Sequence, residues 1–164
     1  MPDLLELPHT SGCLVCGRDN AYGLKLSLFV DPANGLVHVD FSPRPMHVGF
    51  QGVVHGGVLA TIIDEAMVWA ATWANKRFCL CGEMSVRFRR PAEVGEALHL
   101  EARVEFSRPK LVQTMATIRT REGSVVAAGE GKYVPMPLEN SQKVTATFID
   151  HESTRAAAAI LCKG

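Results

Sequence analysis

Residues 53–65, VVHGGVLATIIDE, give the clearest indication of how this chain folds. They begin a segment with the periodicity of an α-helix, which is predicted over residues 56–73. Within residues 58–74 the only charged side chains are those of Asp64 and Glu65, and every other residue is apolar or Thr. A helix that is apolar on almost every side is buried, and a carboxylate on such a helix is costly unless it is paired or has a function. The segment therefore predicts a buried helix and a functional site near Asp64.

The predicted helix begins at two glycines, Gly56 and Gly57, which follow His55. Glycines at this position leave the first backbone N–H groups of the helix unpaired, with no side chain in the way. These groups can bind a carbonyl oxygen on which negative charge develops during a reaction. The alternative is a tight turn into a helix, which also requires small residues.

Asp64 and Glu65 are expected to have different environments, because neighbouring residues of a helix point about 100° apart. Asp64 shares a helix face with Gly57 and Ala71, and small residues flank that face. Room for a ligand is therefore expected beside Asp64, although a buried ion pair or a helix cap would also explain this residue. Glu65 is expected to pair with an arginine of a strand.

The composition indicates a single globular domain. The chain has 164 residues, of which 47% are hydrophobic and 21% are charged, as is ordinary for such a domain. Lys and Arg together number 17, as do Asp and Glu, so the charge gives no reason to expect nucleic acid or a membrane surface as the main partner. The sequence has neither the pattern of a secretory signal nor a run of about 20 uncharged apolar residues. We therefore expect a cytoplasmic protein whose five cysteines are reduced.

After the helix, the period of the hydrophobic pattern changes from about 3.6 to about 2 residues, which indicates β-strands. The predicted strands are residues 25–31 and 36–41 before the helix, then 85–90 (in a run that begins near Phe78), 98–106, 111–120 and 125–135. The short connections between the later strands favour antiparallel pairing. The predicted fold class is α+β, with one long central helix wrapped by a curved antiparallel sheet of five to six strands.

This domain is expected to occupy residues 25–136. Residues 1–24 are predicted to be irregular, because they contain Pro, Gly and Cys without a clear period. Residues 137–164 are predicted to form a tail, with a short Ala-rich helix within residues 151–161.

Other motifs for catalysis or metal binding are incomplete in this sequence. No Gly-x-Ser-x-Gly motif places a serine nucleophile on a strand-to-helix turn, and Gly129-Glu130-Gly131 lacks the third glycine of a dinucleotide-binding loop. Cys13 and Cys16 have the spacing of a metal-binding pair. The second pair, Cys79 and Cys81, is spaced differently, whereas structural zinc sites usually have two matching pairs. We therefore expect no metal and no cofactor, and we expect the second pair to be buried in a strand.

Three features of the sequence occur together: GFQGVVHGGVLAT at residues 49–61, Asp64 six residues beyond His-Gly-Gly, and FRRP at residues 88–91 followed by Gly95. In this combination the chain resembles the hotdog-fold acyl-CoA thioesterases, in particular the branch typified by the phenylacetate-pathway enzymes. The resemblance extends from about residue 13 to residue 136. It implies a hotdog fold and the hydrolysis of a CoA thioester without a cofactor.

The resemblance also implies roles for individual residues. In such enzymes the glycine after the histidine polarises the thioester carbonyl through its N–H, and this position corresponds to Gly56. The helix carboxylate activates water or attacks the carbonyl directly, and this position corresponds to Asp64. Gly57 is expected to line the substrate site. His55 is expected either to shape the loop as a hydrogen-bonding partner of the helix start or to contact the substrate.

Two positions differ from the family pattern. Many members have Asn or Gln six residues before the histidine, where this chain has Gly49, and Gln51 is the expected substitute. Many also have Ser or Thr on the strand after the helix, near the carboxylate. The nearest matches in this chain are Cys81 and Ser85.

The phosphates of CoA require cationic partners. Arg89 and Arg90 are the main candidates, and Arg87, Arg108 and Lys110 are further ones. The alternative for each of these side chains is a solvated position on a strand.

Helix geometry predicts that one active site requires two chains. Gly57 and Asp64 are separated by about 10 Å along the helix axis, and Gly56 is one residue further away. A base that acts through one water must lie within about 3 Å of it. The carboxylate is therefore expected to come from a second chain in a homodimer, which could pair into a tetramer.

Two other functions remain open at this point. One is a different hotdog enzyme, a hydratase or dehydratase, although the His motif of those enzymes is not found here. The other is a non-catalytic protein that binds or senses acyl-CoA. Fold alone does not decide between them.

Overall fold

The computed structural model describes residues 3–162. Its strands are β1 (Leu5–Glu6), β2 (Phe29–Val30), β3 (Val37–Phe41), β4 (Val48–Phe50), β5 (Val53–Val54), β6 (Cys79–Phe88), β7 (Leu98–Arg108), β8 (Leu111–Thr120) and β9 (Val125–Pro135). Its α-helices are α1 (Gly56–Asn75), α2 (Leu138–Thr145) and α3 (Arg155–Leu161). Short 3-10 turns occur at Pro45–His47 and Glu152–Thr154.

The long helix α1 extends two residues beyond the predicted end. It begins after His55, whose side chain accepts a hydrogen bond from a backbone N–H of the first turn. It ends at Lys76, which has a left-handed φ of 57° and donates its N–H to the carbonyl of Thr72. Ten residues of this helix are buried, which confirms that it forms the centre of the domain.

Seven strands form one antiparallel sheet in the order β1-β2-β3-β7-β8-β9-β6. The strands β4 and β5 form a separate hairpin immediately before α1. The prediction of an α+β fold, with a long helix packed on an antiparallel sheet, is confirmed. The strand β6 lies at one end of the sheet, so within the described residues only one of its edges is paired.

The sheet has more strands than the five to six predicted, because the N-terminal segment contributes β1. The two residues of β1 are too few to show a period in the sequence. Conversely, β2 is shorter than the strand predicted at residues 25–31. Lys25 has a φ of 57°, and the N–H of Leu26 donates to the carbonyl of Val15. This part of the chain therefore pairs with the N-terminal segment rather than with the sheet.

The helix approaches the sheet closely at Gly129 of β9. A Cβ atom at this position would lie 2.6 Å from Cγ2 of Ile63, which is shorter than any normal carbon contact. The absence of a side chain therefore lets α1 lie directly on the sheet, and this residue serves packing rather than nucleotide binding.

The C-terminal tail packs on the domain. Its helix α3 lies within the segment for which the sequence predicts a helix, and α2 adds a helix that the sequence pattern did not indicate. The hydroxyl of Ser141 accepts the N–H of Phe78 at 2.9 Å, and the N–H of Ile149 donates to the carbonyl of His9 at 3.0 Å. The tail therefore contacts both the residue before β6 and the N-terminal segment. Among residues 3–162, no helix combines the length and hydrophobicity that a membrane crossing requires.

Candidate active site

The start of α1 has one backbone donor that is free and one that is occupied. The N–H of Gly57 donates to Nδ1 of His55 at 2.9 Å. The N–H of Gly56 has no acceptor among residues 3–162. Because the helix dipole is positive at this end, Gly56 is the donor that can hold an oxygen atom with developing negative charge.

His55 caps the helix, which is one of the two roles expected for it. Its backbone N–H donates to the carbonyl of His47 at 2.9 Å, so the residue is fixed on both sides. Gly49 lies directly against it, since a Cβ at position 49 would be 3.3 Å from Cα of His55. This close approach gives a physical reason for glycine at position 49. Contact between His55 and a substrate remains a prediction.

Two cavities flank the start of α1. The larger, about 790 Å³, is lined by Leu14, Ala21, Tyr22, Leu24, Met46, His47, His55, Gly57, Val58 and Thr61. The smaller, about 400 Å³, is lined by Phe50, Val53, Val54, Gly56, Leu59, Phe88, Arg89, Arg90, Pro91 and Ala92. Gly56, whose N–H is free, lines the smaller cavity, and the ring of Phe88 packs over Gly56 there.

Asp64 is held by a buried phenol. The hydroxyl of Tyr133 on β9 donates to Oδ1 of Asp64 at 2.7 Å, and Tyr133 itself is completely buried. Burial, followed by the neighbouring Asp64 carboxylate, raises the pKa of Tyr133 far above its usual value. The phenol therefore stays protonated and donates to one of the two carboxylate oxygens of Asp64.

Cys81 is the third member of this group. It pairs with Tyr133 across β6 and β9, and partial loss of solvent around its thiol, together with the charge of Asp64, raises the pKa of that thiol. Of the two residues expected near the carboxylate, Cys81 and Ser85, the structure brings the former there. Ser85 is exposed and lines a shallow depression with Glu83 and Lys132. The expectation that Cys81 is buried was wrong, because it lies on the edge strand beside an irregularity at residues 81–83.

Tyr133 was not singled out in the sequence. It follows the alternation of a strand, and nothing local distinguishes it from an ordinary core aromatic. The contact with Asp64 joins residues 69 positions apart, and it depends on how the helix lies on the sheet.

Glu65 does not pair with a strand arginine, contrary to the expectation from the sequence. Its Oε1 accepts the indole N–H of Trp69 at 3.0 Å and lies 3.9 Å from Sγ of Cys13. Burial, followed by the neighbouring Cys13, raises the pKa of Glu65 to about 7. The adjacent carboxylates of α1 therefore have different surroundings, as helix geometry requires.

The remaining predicted substrate residues fall into two groups. Arg89 and Arg90 line the smaller cavity beside Gly56, and Arg90 is paired with the carboxylate of Glu96. Gln51 lies in the turn between β4 and β5 with a φ of 49°. Its side chain is exposed, and it lines neither of the two cavities at the start of α1.

Two clusters each contain three side chains of the kinds that bind metal ions, with their possible ligand atoms within 4.8 Å of one another. One cluster is Cys13, Cys16 and Glu65, and the other is His38, His99 and Glu101. The second cluster lies on the sheet, where Nδ1 of His99 is also 2.6 Å from a carboxylate oxygen of Asp40. Neither cluster includes the free N–H at the helix start or Asp64.

Residues 51–127 match the family model of the Thioesterase superfamily. The matched range includes the start of α1, Asp64 and Cys81. No curated protein sequence matches the chain.

Several solved structures are similar to this one. Protein RHA08564, described as a thioesterase superfamily protein, has a TM-score of 0.69 and 28% identity over 75% of this chain and 60% of that one, so this chain spans well under the full length of that relative. The E. coli PaaI protein from the phenylacetic acid degradation operon has a TM-score of 0.60 and 20% identity over 63% of this chain and 75% of that one. An acyl-CoA hydrolase variant from Staphylococcus aureus, in complex with coenzyme A, has a TM-score of 0.63 and 18% identity over 65% and 68% of the respective chains. Together with the arrangement of α1 on its sheet, these similarities show that the chain has the hotdog fold.

Proposed function

We propose that this protein is an acyl-CoA thioesterase of the kind typified by the phenylacetate-pathway enzymes. The observation that supports this most is the combination of two groups on α1. One is the unpaired N–H of Gly56, and the other is the carboxylate of Asp64, which Tyr133 orients. The match of residues 51–127 to the Thioesterase superfamily supports the same activity.

In the proposed reaction, the N–H of Gly56 and the positive end of α1 stabilise the carbonyl oxygen of the thioester. Asp64 takes a proton from water while the water oxygen bonds to the carbonyl carbon. The tetrahedral intermediate then collapses, the carbon–sulfur bond breaks, and the CoA thiolate receives the proton. Direct attack by Asp64, followed by hydrolysis of the resulting anhydride, is the alternative path.

Arg89 is the proposed partner for a phosphate of CoA. It lines the same cavity as Gly56, and among residues 3–162 no carboxylate lies within ion-pair distance of it. Arg90 contributes less in this proposal, because its guanidinium is already paired with Glu96. Arginine binds phosphate oxygens with two parallel hydrogen bonds, which makes one free guanidinium sufficient for a contact.

We further propose that the active unit is a homodimer with shared sites, which can pair into a tetramer. Asp64 lies about 12 Å along the helix from Gly56, and its carboxylate bonds to Tyr133 on β9 and lies near Cys81 on the edge strand β6. An exposed strand edge can pair with the same edge of a second copy, and Leu80 on β6 is 58% exposed. Such pairing would bring each Asp64 towards the start of the other α1.

The first test measures hydrolysis of a panel of aliphatic and aromatic acyl-CoAs by the purified protein. Asp64→Asn is expected to keep the fold and to lose at least roughly 100-fold in rate. Asp40→Asn, the same change on β3, serves as the control. Full activity of Asp64→Asn would refute the mechanism, and absence of hydrolysis together with hydration of an enoyl-CoA would favour a hydratase. Binding without either reaction would favour an acyl-CoA sensor.

The second test asks whether two chains share a site. Gly56→Val places a side chain where a Cβ already lies 3.3 Å from the ring of Phe88, so it should block the oxyanion position. Inactive Asp64→Asn and inactive Gly56→Val are mixed under conditions of subunit exchange. Mixed dimers should regain about one working site each, because one of their two sites has both wild-type groups. No recovery, with exchange verified by mass spectrometry of differently tagged chains, would place the site within one chain.

A further inference from the structure

A second group of reactive side chains lies away from the free N–H and Asp64. The loop of Cys13 and Cys16 packs against α1, where the sulfur of Cys13 is 3.9 Å from Oε1 of Glu65. The two sulfurs and a carboxylate oxygen all lie within 4.8 Å of one another. A hydrogen bond from the N–H of Gly17 to the carbonyl of Cys13, 3.0 Å long, closes the loop. The proposed thioesterase reaction uses none of these groups.

The two sulfur atoms have different environments. Sγ of Cys13 is half-buried and accepts the N–H groups of Val15 at 3.4 Å and Cys16 at 3.3 Å. Sγ of Cys16 is buried, and its backbone donor is Thr10. The two backbone donors favour the thiolate at the first sulfur, whereas the deeper burial of the second sulfur favours its thiol.

The same asymmetry affects the acidities. The hydrogen bond from the Cys16 thiol, together with the backbone donors, lowers the pKa of Cys13 to about 5. The hydrogen bond to Cys13, together with burial, raises the pKa of Cys16 far above its usual value. Glu65, whose pKa burial raises to about 7, is therefore suited to exchange a proton with a neighbouring thiol near neutral pH.

We propose that Cys13 and Cys16 form a dithiol site that reduces small disulfides, with Cys13 as the nucleophile, Cys16 as the resolving thiol and Glu65 as the proton acceptor. This proposal does not depend on the proposed thioesterase activity. It treats the loop as a reactive site rather than a structural metal site. The residues described supply three metal-binding groups at this loop rather than the usual four.

The reaction proceeds in two balanced steps, written here for glutathione disulfide. The Cys13 thiolate attacks one sulfur, the disulfide bond breaks, and one glutathione thiolate leaves. Cys16 then gives its proton to Glu65, its sulfur attacks Cys13, and the second glutathione thiolate leaves and takes up a proton. Two electrons pass from the protein thiols to the added disulfide, so the protein loses two hydrogen atoms and gains an internal disulfide.

The sequence allows a direct measurement. Trypsin cleaves after Arg18, and no Lys or Arg precedes this residue, so both cysteines of the loop lie in one peptide. A second tryptic peptide, residues 78–87, contains Cys79 and Cys81 and serves as an internal control. After treatment with glutathione disulfide and rapid acid quenching, the first peptide is expected to lose two hydrogen atoms, and the control peptide is not.

Variants separate the roles of the three residues. Cys16→Ser should stop at the mixed disulfide, with one glutathione attached to Cys13, and Cys13→Ser should leave position 16 unmodified. Glu65→Gln can keep the hydrogen bond from Trp69, so it should fold. It should form the mixed disulfide at the wild-type rate but close the internal disulfide at least about tenfold more slowly.

The pH dependence gives a further measurement on the wild-type protein. Alkylation of Cys13 by iodoacetamide should change less than about twofold between pH 6.5 and 8.5, because its thiolate is already formed. An ordinary thiol would accelerate roughly 50-fold over this range, so the control peptide should show a steep increase.

Three results would overturn the proposal. The first is an N-terminal peptide that keeps both hydrogens after treatment with glutathione disulfide. The second is a Cys16→Ser variant in which glutathione does not attach to Cys13. The third is one zinc ion per chain in protein purified without added metal, lost in Cys13→Ser, which would make the loop a metal site.

Discussion

The contact between Tyr133 and Asp64 allows a quantitative test of how the proposed catalytic carboxylate is oriented. Tyr133→Phe removes one hydroxyl and leaves the ring in place. The ring is held firmly, since a Cβ at Gly131 would lie only 2.5 Å from its Cε2 atom. The substitution therefore removes the 2.7 Å hydrogen bond to Oδ1 of Asp64 with little change in packing.

A hydrogen bond to a charged group contributes about 1.5–3 kcal/mol. If this contribution acts fully on the position of Asp64 in the transition state, its loss lowers kcat roughly 10- to 150-fold, at about 1.4 kcal/mol for each factor of ten. KM should change less than about twofold, because the buried phenol does not touch the substrate. The free energy of unfolding should fall by only about 1 kcal/mol, since partly exposed Asp64 can bond to water instead.

The assay should follow the thioester absorbance or separate CoA by chromatography, because thiol reagents would also react with exposed cysteines such as Cys81. A double-mutant cycle tests whether Tyr133 acts through Asp64. The variant with both Tyr133→Phe and Asp64→Asn should be no slower than Asp64→Asn alone, since the effects of residues that act as a unit are not additive. An unchanged kcat in Tyr133→Phe, or fully additive losses in the double variant, would refute the positioning role.

Two further predictions concern packing and the helix start. Gly129→Ala should lower the free energy of unfolding by about 1–3 kcal/mol, because its Cβ would lie 2.6 Å from Ile63. Gly82→Ala is the control, since the nearest neighbour of its Cβ would be at 3.5 Å. Equal effects of the two substitutions in urea unfolding would contradict the argument. His55→Ala should lower stability by about 1 kcal/mol through loss of the cap on Gly57, whereas His55→Asn should restore it. If the Asn variant is as unstable as the Ala variant, the side chain of His55 does not act as a cap.

The sequence was sufficient to predict the central elements of the fold but not their contacts. The helix was predictable because it has apolar residues on almost every side. The later strands were predictable because their hydrophobic pattern has a period of two residues. The short strand β1 could not be predicted, since two residues have no period. The left-handed backbone at Lys25 could not be predicted either, because it arises from pairing with the N-terminal segment.

The candidate site was partly predictable for a similar reason. Gly56 and Asp64 belong to one continuous helix, so their order and spacing are visible in the sequence. Tyr133 belongs to the last strand of the sheet, and its contact with Asp64 exists only when α1 and β9 are packed together. Which of Cys81 and Ser85 lies near Asp64 depends on the irregularity in β6 at residues 81–83. This irregularity changes which side chains of the strand face the helix, and the residue types do not indicate it.

The adjacent carboxylates of α1 illustrate how one helix can serve two chemistries. Because neighbouring side chains point about 100° apart, Asp64 meets the phenol of Tyr133, while Glu65 meets an indole and the thiol loop. Burial beside Cys13 favours the neutral form of Glu65 and raises its pKa to about 7, so Glu65 is suited to exchange a proton near neutral pH. The proposed role of Asp64, oriented by the phenol, is to act on water. If this separation holds, Glu65→Gln should impair disulfide closure without slowing thioester hydrolysis, and Asp64→Asn should have the opposite effects.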